Sequence, residues 1–513
     1  SEIPGVFSVL GFDDVKSENL GYFEVGKETK EFQIEAELGA KGAVQFFAHG
    51  LPLWVNEPKI EKDAAIGFSS VTLTGPLYET WPPEQHTDLL GTIDPEFGRL
   101  DDAKQIFEKL MPRAYRRPVD DEDVARPVKL VREALATGRS FEESLRLGLE
   151  SILCSPNLLF LREDKTEKLI DEYELASRLS FFLWNSMPDG DLFESARTGI
   201  LSDPATLQAQ VDRMLQDHKS SRFVENFTGQ WLKLREIEAT TPDSKLYSGF
   251  DEVLQISMVD ESLFFFRKLL DDDLPITNFI DSRFLMLNRR LARHYDIPGV
   301  EGLEVKPVDI PDDSVRGGLK VTANGTNTSP VMRGVWVLEN ILGKHIPPPP
   351  PNIAGIEPDI REATTIREQL DLHRNAESCA GCHQYIDPPG FALESFDPIG
   401  GYRERYLQFK VNPQHADKGW GSVVKAKPVN ASGKFANGDS FEDIKQFKAL
   451  LLANSDQFAS CLTERLATYA LGRELGFSDR EPIRQIVEQT KAEGNGFRTL
   501  IKNLVISPLF SQP

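Results

Sequence analysis

The run Cys379-Ala-Gly-Cys382-His383 constrains this chain more than any other feature of its sequence. Two cysteines three residues apart lie on the same side of one helical turn, and the histidine that follows can reach the same space. This is the spacing of a covalent haem attachment site, in which two thioethers hold the porphyrin and the histidine binds the iron. The sequence therefore predicts one covalent haem c, held by Cys379, Cys382 and His383.

Two other kinds of site use similar residues. A structural zinc site needs a fourth ligand, usually from a second cysteine or histidine cluster, and no such cluster stands out. A thioredoxin-like cysteine pair belongs to a βαβ pattern, and none surrounds this motif. The haem interpretation is therefore favoured.

The sixth ligand of the iron is open at this stage. No methionine follows Met332, which excludes the common arrangement with a downstream Met ligand. His373 is expected to share a helix with His383, on a side from which it does not reach the opposite face of the haem. The remaining candidates are His294, Cys461, Met332, His415 or an open position. Because a c-type iron favours His or Met as its second axial ligand, elimination points to His294. Arg403, after the motif, is a further cofactor-binding candidate.

The chain has 513 residues, more than one hydrophobic core supports. Changes in hydrophobic periodicity predict a mainly α protein with an N-terminal β-sandwich-like domain and a cytochrome c-like haem domain in its C-terminal part. The predicted divisions are a β-domain, incomplete at its start, two helical domains, a haem-bearing segment and a helical domain that completes the haem domain. Their bounds are 1–95, 96–165, 166–345, 346–440 and 441–513.

Short alternating runs predict the strands of the β-domain. They are Phe32–Leu38, Gly42–Phe47 and Val71–Pro76, after which Trp81-Pro-Pro closes the domain.

Helical spacing dominates from about residue 99. Ser140 and Glu143 form a capping-box pattern. Two apolar stripes follow: Phe141, Leu145, Leu149 and Ile152, and then Leu175, Ala176, Leu179, Phe182 and Leu183. Helical character continues over 225–234 and 260–270. Trp184 and Trp231 lie in such segments and are expected to be core residues.

The haem-bearing segment has mixed signals. Glycine and asparagine predict loops over 315–335, a helix is expected over Val335–Ile341, and Pro347–Pro351 predicts a stiff spacer. A helix over 361–383 should carry the haem motif at its C-terminal end. Residues 384–440 are expected to be irregular. A last helical region begins at Phe441, with one face formed by Ile444, Phe447 and Leu451.

Composition limits the partners. The formal net charge of −22 repels nucleic acid and anionic lipid, so neither is expected to bind. No apolar stretch is long enough to span a membrane. The chain begins at Ser1 without a signal peptide, and we interpret it as a mature or trimmed form. Cys154 and Cys461, outside the haem motif, are expected either to form one disulfide or to be buried thiols.

Several long motifs resemble one family, the planctomycete-type multi-domain cytochrome c proteins. These are built from domains of unknown function numbered 1595, 1592, 1588 and 1585. Arg113–Pro118 and Ser155–Phe160 resemble the first domain. The segments that resemble the second domain are Glu174–Asp189, Asn226–Trp231 and Leu291–Tyr295. Those that resemble the third are Asn324–Pro330, the proline run, the haem motif and Ile386–Asp397. The segment that resembles the fourth is Cys461–Arg473.

The resemblance covers about residues 100–513 and implies a periplasmic or secreted haem protein, without naming a substrate. The family carries a histidine and a cysteine at the places of His294 and Cys461, which ranks both above Met332 as residues at the haem. Three functions remain open. They are electron transfer, haem-dependent oxidation with peroxidase-like or polysaccharide-derived substrates, and a binding or assembly role in which the β-domain contacts a glycan or a partner. A redox partner protein or a small-molecule substrate is expected.

Overall fold

A computed structural model of the chain describes residues 5–12, 17–36, 42–49, 66–75, 77, 84–161, 169–237, 241–311, 314–318, 328–347, 367–368, 370, 377–414 and 420–512. In chain order its first elements are β1 Gly5–Phe12, β2 Ser17–Val25, β3 Ala43–His49, α1 Glu84–Leu90, α2 Leu100–Tyr115, α3 Asp121–Ala136, α4 Phe141–Leu153, α5 Pro156–Leu159, α6 Glu172–Trp184, α7 Gly190–Arg197, α8 Pro204–Gln216 and α9 Ser221–Trp231. The next are α10 Glu252–Asp271, β4 Phe284–Leu287, α11 Arg289–His294, β5 Lys306–Asp309, α12 Pro330–Asn340, α13 Glu377–Ala392, β6 Arg405–Val411, β7 Gly421–Pro428, β8 Gly433–Lys434 and β9 Ser440–Phe441. The last are α14 Ile444–Ala453, α15 Ser455–Leu471, α16 Arg480–Ala492, α17 Phe497–Ile506 and α18 Pro508–Ser511. The predicted mainly α fold is confirmed.

The chain divides into two compact units. The first contains Ser1–Ser70, Thr228–Leu462 and Asn495–Phe497, and the second contains Val71–Phe227, Thr463–Gly494 and Arg498–Pro513. The five-part division expected from the sequence stays a prediction.

The first unit begins with an antiparallel sheet of order β2-β1-β3. Its register places Phe7, Phe23 and Phe46 on one face, with the rings of Phe7 and Phe23 stacked 5.2 Å apart. The strand expected over Gly42–Phe47 is confirmed as β3. The described parts of Phe32–Leu38 and Val71–Pro76 are not strands, so those two expectations were wrong. The described residues before α1 contain no second sheet, which a β-sandwich requires, and Trp81 lies outside the described residues.

The second unit contains the helices that local signals predicted best. The capping box at the start of α4 is formed, since Ser140 Oγ accepts from the Glu143 amide at 3.2 Å and the Glu143 carboxylate accepts from the Ser140 amide at 3.0 Å. Phe141, Leu145 and Ile152 are buried, as is the whole second stripe. Helices α2, α3 and α4 pack closely, as the surroundings of Gly148 in α4 show. A Cβ atom added to this glycine would lie 2.4 Å from the Phe107 ring of α2.

Both tryptophans are core residues, as predicted. Trp184, in the second unit, is fully buried and donates to the Met214 carbonyl at 2.8 Å. Trp231, in the first unit, packs edge-on against Phe279 with ring centroids 5.2 Å apart.

The haem-bearing segment of the first unit differs from its expected form. Helix α13 runs through the motif to Ala392, so the expected end of a helix at residue 383 was wrong. Most of residues 361–376, the earlier part of the expected helix, lie outside the described residues. Residues 384–440 include the paired strands β6 and β7, so the expected irregular structure was wrong. Helix α12 begins at Pro330, five residues before the expected start. The proline run lies outside the described residues except for Pro347.

Candidate functional site

The haem motif occupies the first turns of α13. Cys382 is a free, exposed thiol, and the His383 side chain is 14% exposed. The side chain of Cys379 lies outside the described residues. Residues three apart share one side of a helical turn, so both cysteine positions face the same side and the Cys382 thiol is accessible for a thioether bond.

The imidazole of His383 is held by a carboxylate of the same helix. Its Nδ1–H donates to Asp387 Oδ1 at 2.8 Å, and the Asp387 side chain has no exposed surface. Residues four apart on a helix lie one above the other, which is why these two groups meet. Because an ionised carboxylate only accepts, the ring carries a proton on Nδ1, as a histidine that binds a metal through Nε2 must.

Close backbone packing fixes the position of α13 against α12. A Cβ atom on Gly334 would lie 1.8 Å from the Ile386 carbonyl oxygen, and one on Gly390 would lie 1.8 Å from the Pro330 carbonyl oxygen. Only glycine permits these two approaches. The contacts flank Asp387, so the residue that holds the His383 ring sits in the most tightly packed part of the helix.

Two prolines lie within α13 immediately after Asp387. Pro388 and Pro389 supply no amide protons, so the carbonyls of Gln384 and Tyr385 lose their helical donors. An internal proline costs a helix about 3 kcal/mol, which the packing against α12 must offset. The sequence signal for a helix end was therefore real, and tertiary contacts override it.

A buried charge cluster follows the helix. Glu394 lies between Arg333 and Arg403, and all three side chains are less than a tenth exposed. Thr328 donates to the Glu394 carboxylate at 2.7 Å, and the Tyr406 hydroxyl donates to it at 3.1 Å. Burial lowers the pKa of Arg333 to about 10, which leaves it charged at neutral pH.

Arg403, the cofactor-binding candidate, is part of this cluster. Its guanidinium donates to the Glu394 carbonyl at 3.0 Å, to Thr328 Oγ1 at 2.7 Å and to the Glu394 carboxylate at 3.3 Å. These bonds give it a role in holding the chain after α13. Direct binding of the cofactor by Arg403 stays a prediction.

His294 contacts the loop at 397–401, downstream of the haem helix. Its Nε2–H donates to the Ile399 carbonyl at 2.7 Å, and burial lowers the pKa of the imidazole. Asp397 Oδ1 accepts from the amides of Ile399 and Gly401 at 2.9 and 2.8 Å. In the same loop the Gly400 carbonyl accepts from Arg316 at 3.0 Å. Iron ligation by His294 stays a prediction, and Nε2 ligation would require its bond to Ile399 to break.

The other candidate ligands lie apart from this loop or outside the described residues. Met332 is 59% exposed on α12. Cys461 is buried and donates to the Asn340 carbonyl at 3.4 Å, a carbonyl that also accepts from Trp231 at 3.1 Å. Cys461 therefore helps to satisfy the C-terminal end of α12. His373 and His415 lie outside the described residues.

Cys154 and Cys461, the cysteines outside the motif, are not in a disulfide. Cys461 is buried as one alternative expected, whereas Cys154 is exposed, so the expectation of two buried thiols was wrong for Cys154. Among the described side chains, no group of three or more His, Cys, Asp and Glu residues could hold a metal ion.

A serine, a histidine and a glutamate meet where the N-terminal sheet contacts α10, an arrangement that sequence reasoning missed. His49 Nε2 lies 2.8 Å from Ser8 Oγ, and His49 Nδ1 lies 3.6 Å from Glu252 Oε2. The second distance is too long for a hydrogen bond. Ser8 is 2% exposed in the middle of the central strand, where a substrate cannot reach it. We therefore assign the group to packing of the sheet.

Models of four protein families match the chain in succession, each described as a protein of unknown function. DUF1595 matches residues 102–163, DUF1592 matches 170–297, DUF1588 matches 315–406 and DUF1585 matches 437–510. The DUF1588 match contains the haem motif, helix α12 and the buried charge cluster. Searches of curated proteins and of solved structures found no match. Within the described residues no helix is long and apolar enough to cross a membrane. The chain belongs to the planctomycete-type multi-domain cytochrome c proteins, with the four domains in the family's order.

Proposed function

We propose that this protein is an extracytoplasmic c-type cytochrome that carries one covalent haem and transfers electrons. The observation that carries the proposal is the arrangement on α13. An exposed Cys382 thiol stands next to His383, whose Nδ1 donates to Asp387 and whose ring is thereby oriented for ligation through Nε2. Covalent attachment suits a periplasmic or secreted protein, because it holds the cofactor where a lost haem is not replaced.

The residues of α13 fit a haem c. Cys379 and Cys382 would form the two thioethers, and His383 would bind the iron through Nε2. A bound haem c supplies a one-electron couple. Asp387 orients the His383 ring, and the contacts at Gly334 and Gly390 hold the helix that carries it. His294 is retained as the proposed sixth ligand, because it is partly buried beside the loop after the haem helix, and its Nε2 would exchange the Ile399 carbonyl for the iron.

The partner is proposed to be a redox protein. A net charge of −22 favours a cationic surface on that partner and disfavours nucleic acid. A glycan contact through the β-domain also stays a proposal. Its described sheet has Phe46 and Phe47 partly exposed on β3, and binding of soluble polysaccharides to the full chain would test it.

The experiment that tests the function compares three chains in a host that attaches haem c. In wild-type protein, the pyridine haemochrome spectrum after acid-acetone extraction should report one haem per chain. His383→Ala should lose the axial ligand, which changes the visible spectrum of the native protein, and Cys379→Ala should lose one thioether, which shifts the pyridine haemochrome band. The same spectra in both variants and in wild type would contradict the proposal, as would extraction of all the haem.

Carbon monoxide distinguishes electron transfer from haem-dependent oxidation. A six-coordinate electron carrier has no free iron position, so the reduced protein should bind carbon monoxide slowly or not at all. Rapid binding would instead indicate an accessible iron and favour an oxidoreductase.

A further inference from the structure

The link between His383 and Asp387 has consequences beyond haem attachment. The carboxylate is fully buried, and the imidazole that donates to it is nearly so. In such surroundings a charge-assisted hydrogen bond is stronger than in water, since little solvent competes for either group. A buried carboxylate on the far side of a ligand ring is one of the few means by which a protein controls the iron from a distance.

We propose that Asp387 is the positioning residue that sets the reduction potential of the haem. This rests on the proposed function, in which His383 Nε2 binds the iron. By accepting the Nδ1 hydrogen bond, the Asp387 carboxylate draws the proton away from the ring and makes Nε2 a stronger electron donor. A stronger donor stabilises the oxidised, more positive iron relative to the reduced iron, so the potential falls.

The surroundings of Asp387 suit this role better than a purely local one. Asp387 lies within α13, so its carboxylate does not cap a helix end. The backbone of its neighbour Ile386 packs directly against Gly334, and that of Gly390 packs directly against Pro330. These contacts hold the carboxylate at a fixed distance from the ring, as a constant electronic effect requires.

A lowered reduction potential restricts the class of partner. A haem whose oxidised state is stabilised gives its electron readily to an acceptor of higher potential. Only a reductant of still lower potential can reduce it again. The structure therefore assigns this protein a place as an electron donor to a higher-potential acceptor.

The test is the reduction potential of the full-length holoprotein with Asp387→Asn. Asparagine has nearly the same size and can still accept from Nδ1–H, but it carries no charge. We expect the ratio of reduced to oxidised haem at a fixed potential to rise at least tenfold, a shift of about 59 mV for a one-electron couple. Glu404→Gln is the matched control, because it removes an equal charge from an exposed position in the same segment, and it should leave the potential nearly unchanged.

The outcomes separate this inference from the proposed function. The pyridine haemochrome spectrum is recorded first for all three proteins. Absence of covalent haem in wild type would remove the proposed function and this inference together. Covalent haem in all three, with an unchanged potential in Asp387→Asn or an equal shift in Glu404→Gln, would overturn the role of Asp387 alone.

A second measurement needs no variant, in case Asp387→Asn does not fold. In proton NMR spectra of wild-type holoprotein, the Nδ1 proton of His383 should exchange with solvent as slowly as buried amide protons do. The hydrogen bond to a fully buried carboxylate protects it. Rapid exchange would show that the bond is absent in the holoprotein and would overturn the inference.

Discussion

The α2–α4 bundle of the second unit and the haem-motif region of the first unit, residues 328–406 as far as they are described, are stabilised in different ways. The bundle buries apolar side chains at helical spacing, such as Phe107 and Met111, and its helices begin at capping boxes. The haem-motif region buries a glutamate between two arginines and keeps two prolines inside a helix. In the bundle the apolar stripes and capping boxes agree with the fold, and only the single prolines Pro112 in α2 and Pro127 in α3 depart from it. In the haem-motif region tertiary contacts override two consecutive prolines within one helix. Departures of this kind are expected where a protein carries function.

The largest expected effect is loss of the buried counter-charge. Glu394→Gln leaves Arg333 and Arg403 as buried cations without an anion, and we expect it to lower the free energy of unfolding by about 3–5 kcal/mol. Met111→Ala in the bundle should cost a comparable amount, about 2–5 kcal/mol, but through a cavity. Urea unfolding followed by tryptophan fluorescence measures both.

A double variant tests whether the stability lost in Glu394→Gln comes from uncompensated charge. Adding Arg333→Met to Glu394→Gln should recover part of the stability, because one uncompensated cation is removed, with a coupling of about 1 kcal/mol or more. Purely additive losses would show that the charges are not coupled and would weaken the contrast between the regions.

The next effect concerns the close approach of α12 and α13. Gly334→Ala places a methyl group against the Ile386 carbonyl, and we expect a loss of about 3 kcal/mol, with loss of haem incorporation. Gly381→Ala, on the partner helix α13, is the control, since nothing lies within 4 Å of a Cβ atom there. It should be neutral or stabilising by up to about 1 kcal/mol through helix propensity. Equal thermal stability of the two variants would refute the tight packing.

The pH dependence of stability should have opposite signs in the two regions. The hydrogen bond from Arg117 lowers the pKa of Asp123 in α3, so its stabilising contribution is present above the unfolded value of 3.8 and is lost as the pH falls through the lower folded value. Burial raises the pKa of Asp397, so its cost is present at neutral pH and is relieved as the pH falls from the raised value to 3.8.

Unfolding of Asp123→Asn and Asp397→Asn between neutral and acidic pH measures these slopes against wild type. The advantage of wild type over Asp123→Asn should shrink at the acid end. As the pH falls over the same range, the free energy of unfolding of wild type should rise relative to that of Asp397→Asn. Slopes of the same sign would contradict the different environments of the two carboxylates.

The smallest effect on stability is expected at His294. His294→Ala removes the bond to the Ile399 carbonyl, which should cost about 1 kcal/mol. If His294 Nε2 instead binds the iron in the holoprotein, the visible spectrum of the oxidised haem should change from a low-spin to a high-spin form in this variant. A loss of stability with an unchanged spectrum would restrict His294 to holding the loop at 397–401.

The sequence predicted the bundle well because its signals are local. No distant neighbour is needed to recognise the apolar stripe from Phe141 to Ile152 or the capping box of Ser140 and Glu143. It also located the haem motif, since covalent attachment fixes cysteine and histidine spacing within one turn. It did not predict that α13 passes through Pro388 and Pro389, because the compensating contacts come from Gly334 and Pro330 on another helix.

The role of Asp387 was not predicted from the sequence for a different reason. The four-residue spacing from His383 to Asp387 was present in the sequence, but the intervening chain was expected to leave the helix at residue 383. Once α13 continues, that spacing becomes a hydrogen bond. The partners of His294 and Arg403 involve residues 105 and 75 positions away, beyond the reach of any local pattern.

The most direct test of the account is the haem content of the wild-type chain. Mass spectrometry of the denatured protein, together with its pyridine haemochrome spectrum, should show one haem joined to the peptide that contains Cys379 and Cys382. A mass without haem after expression with the haem-attachment machinery, or haem that dissociates on denaturation, would contradict the assignment of this chain as a c-type cytochrome.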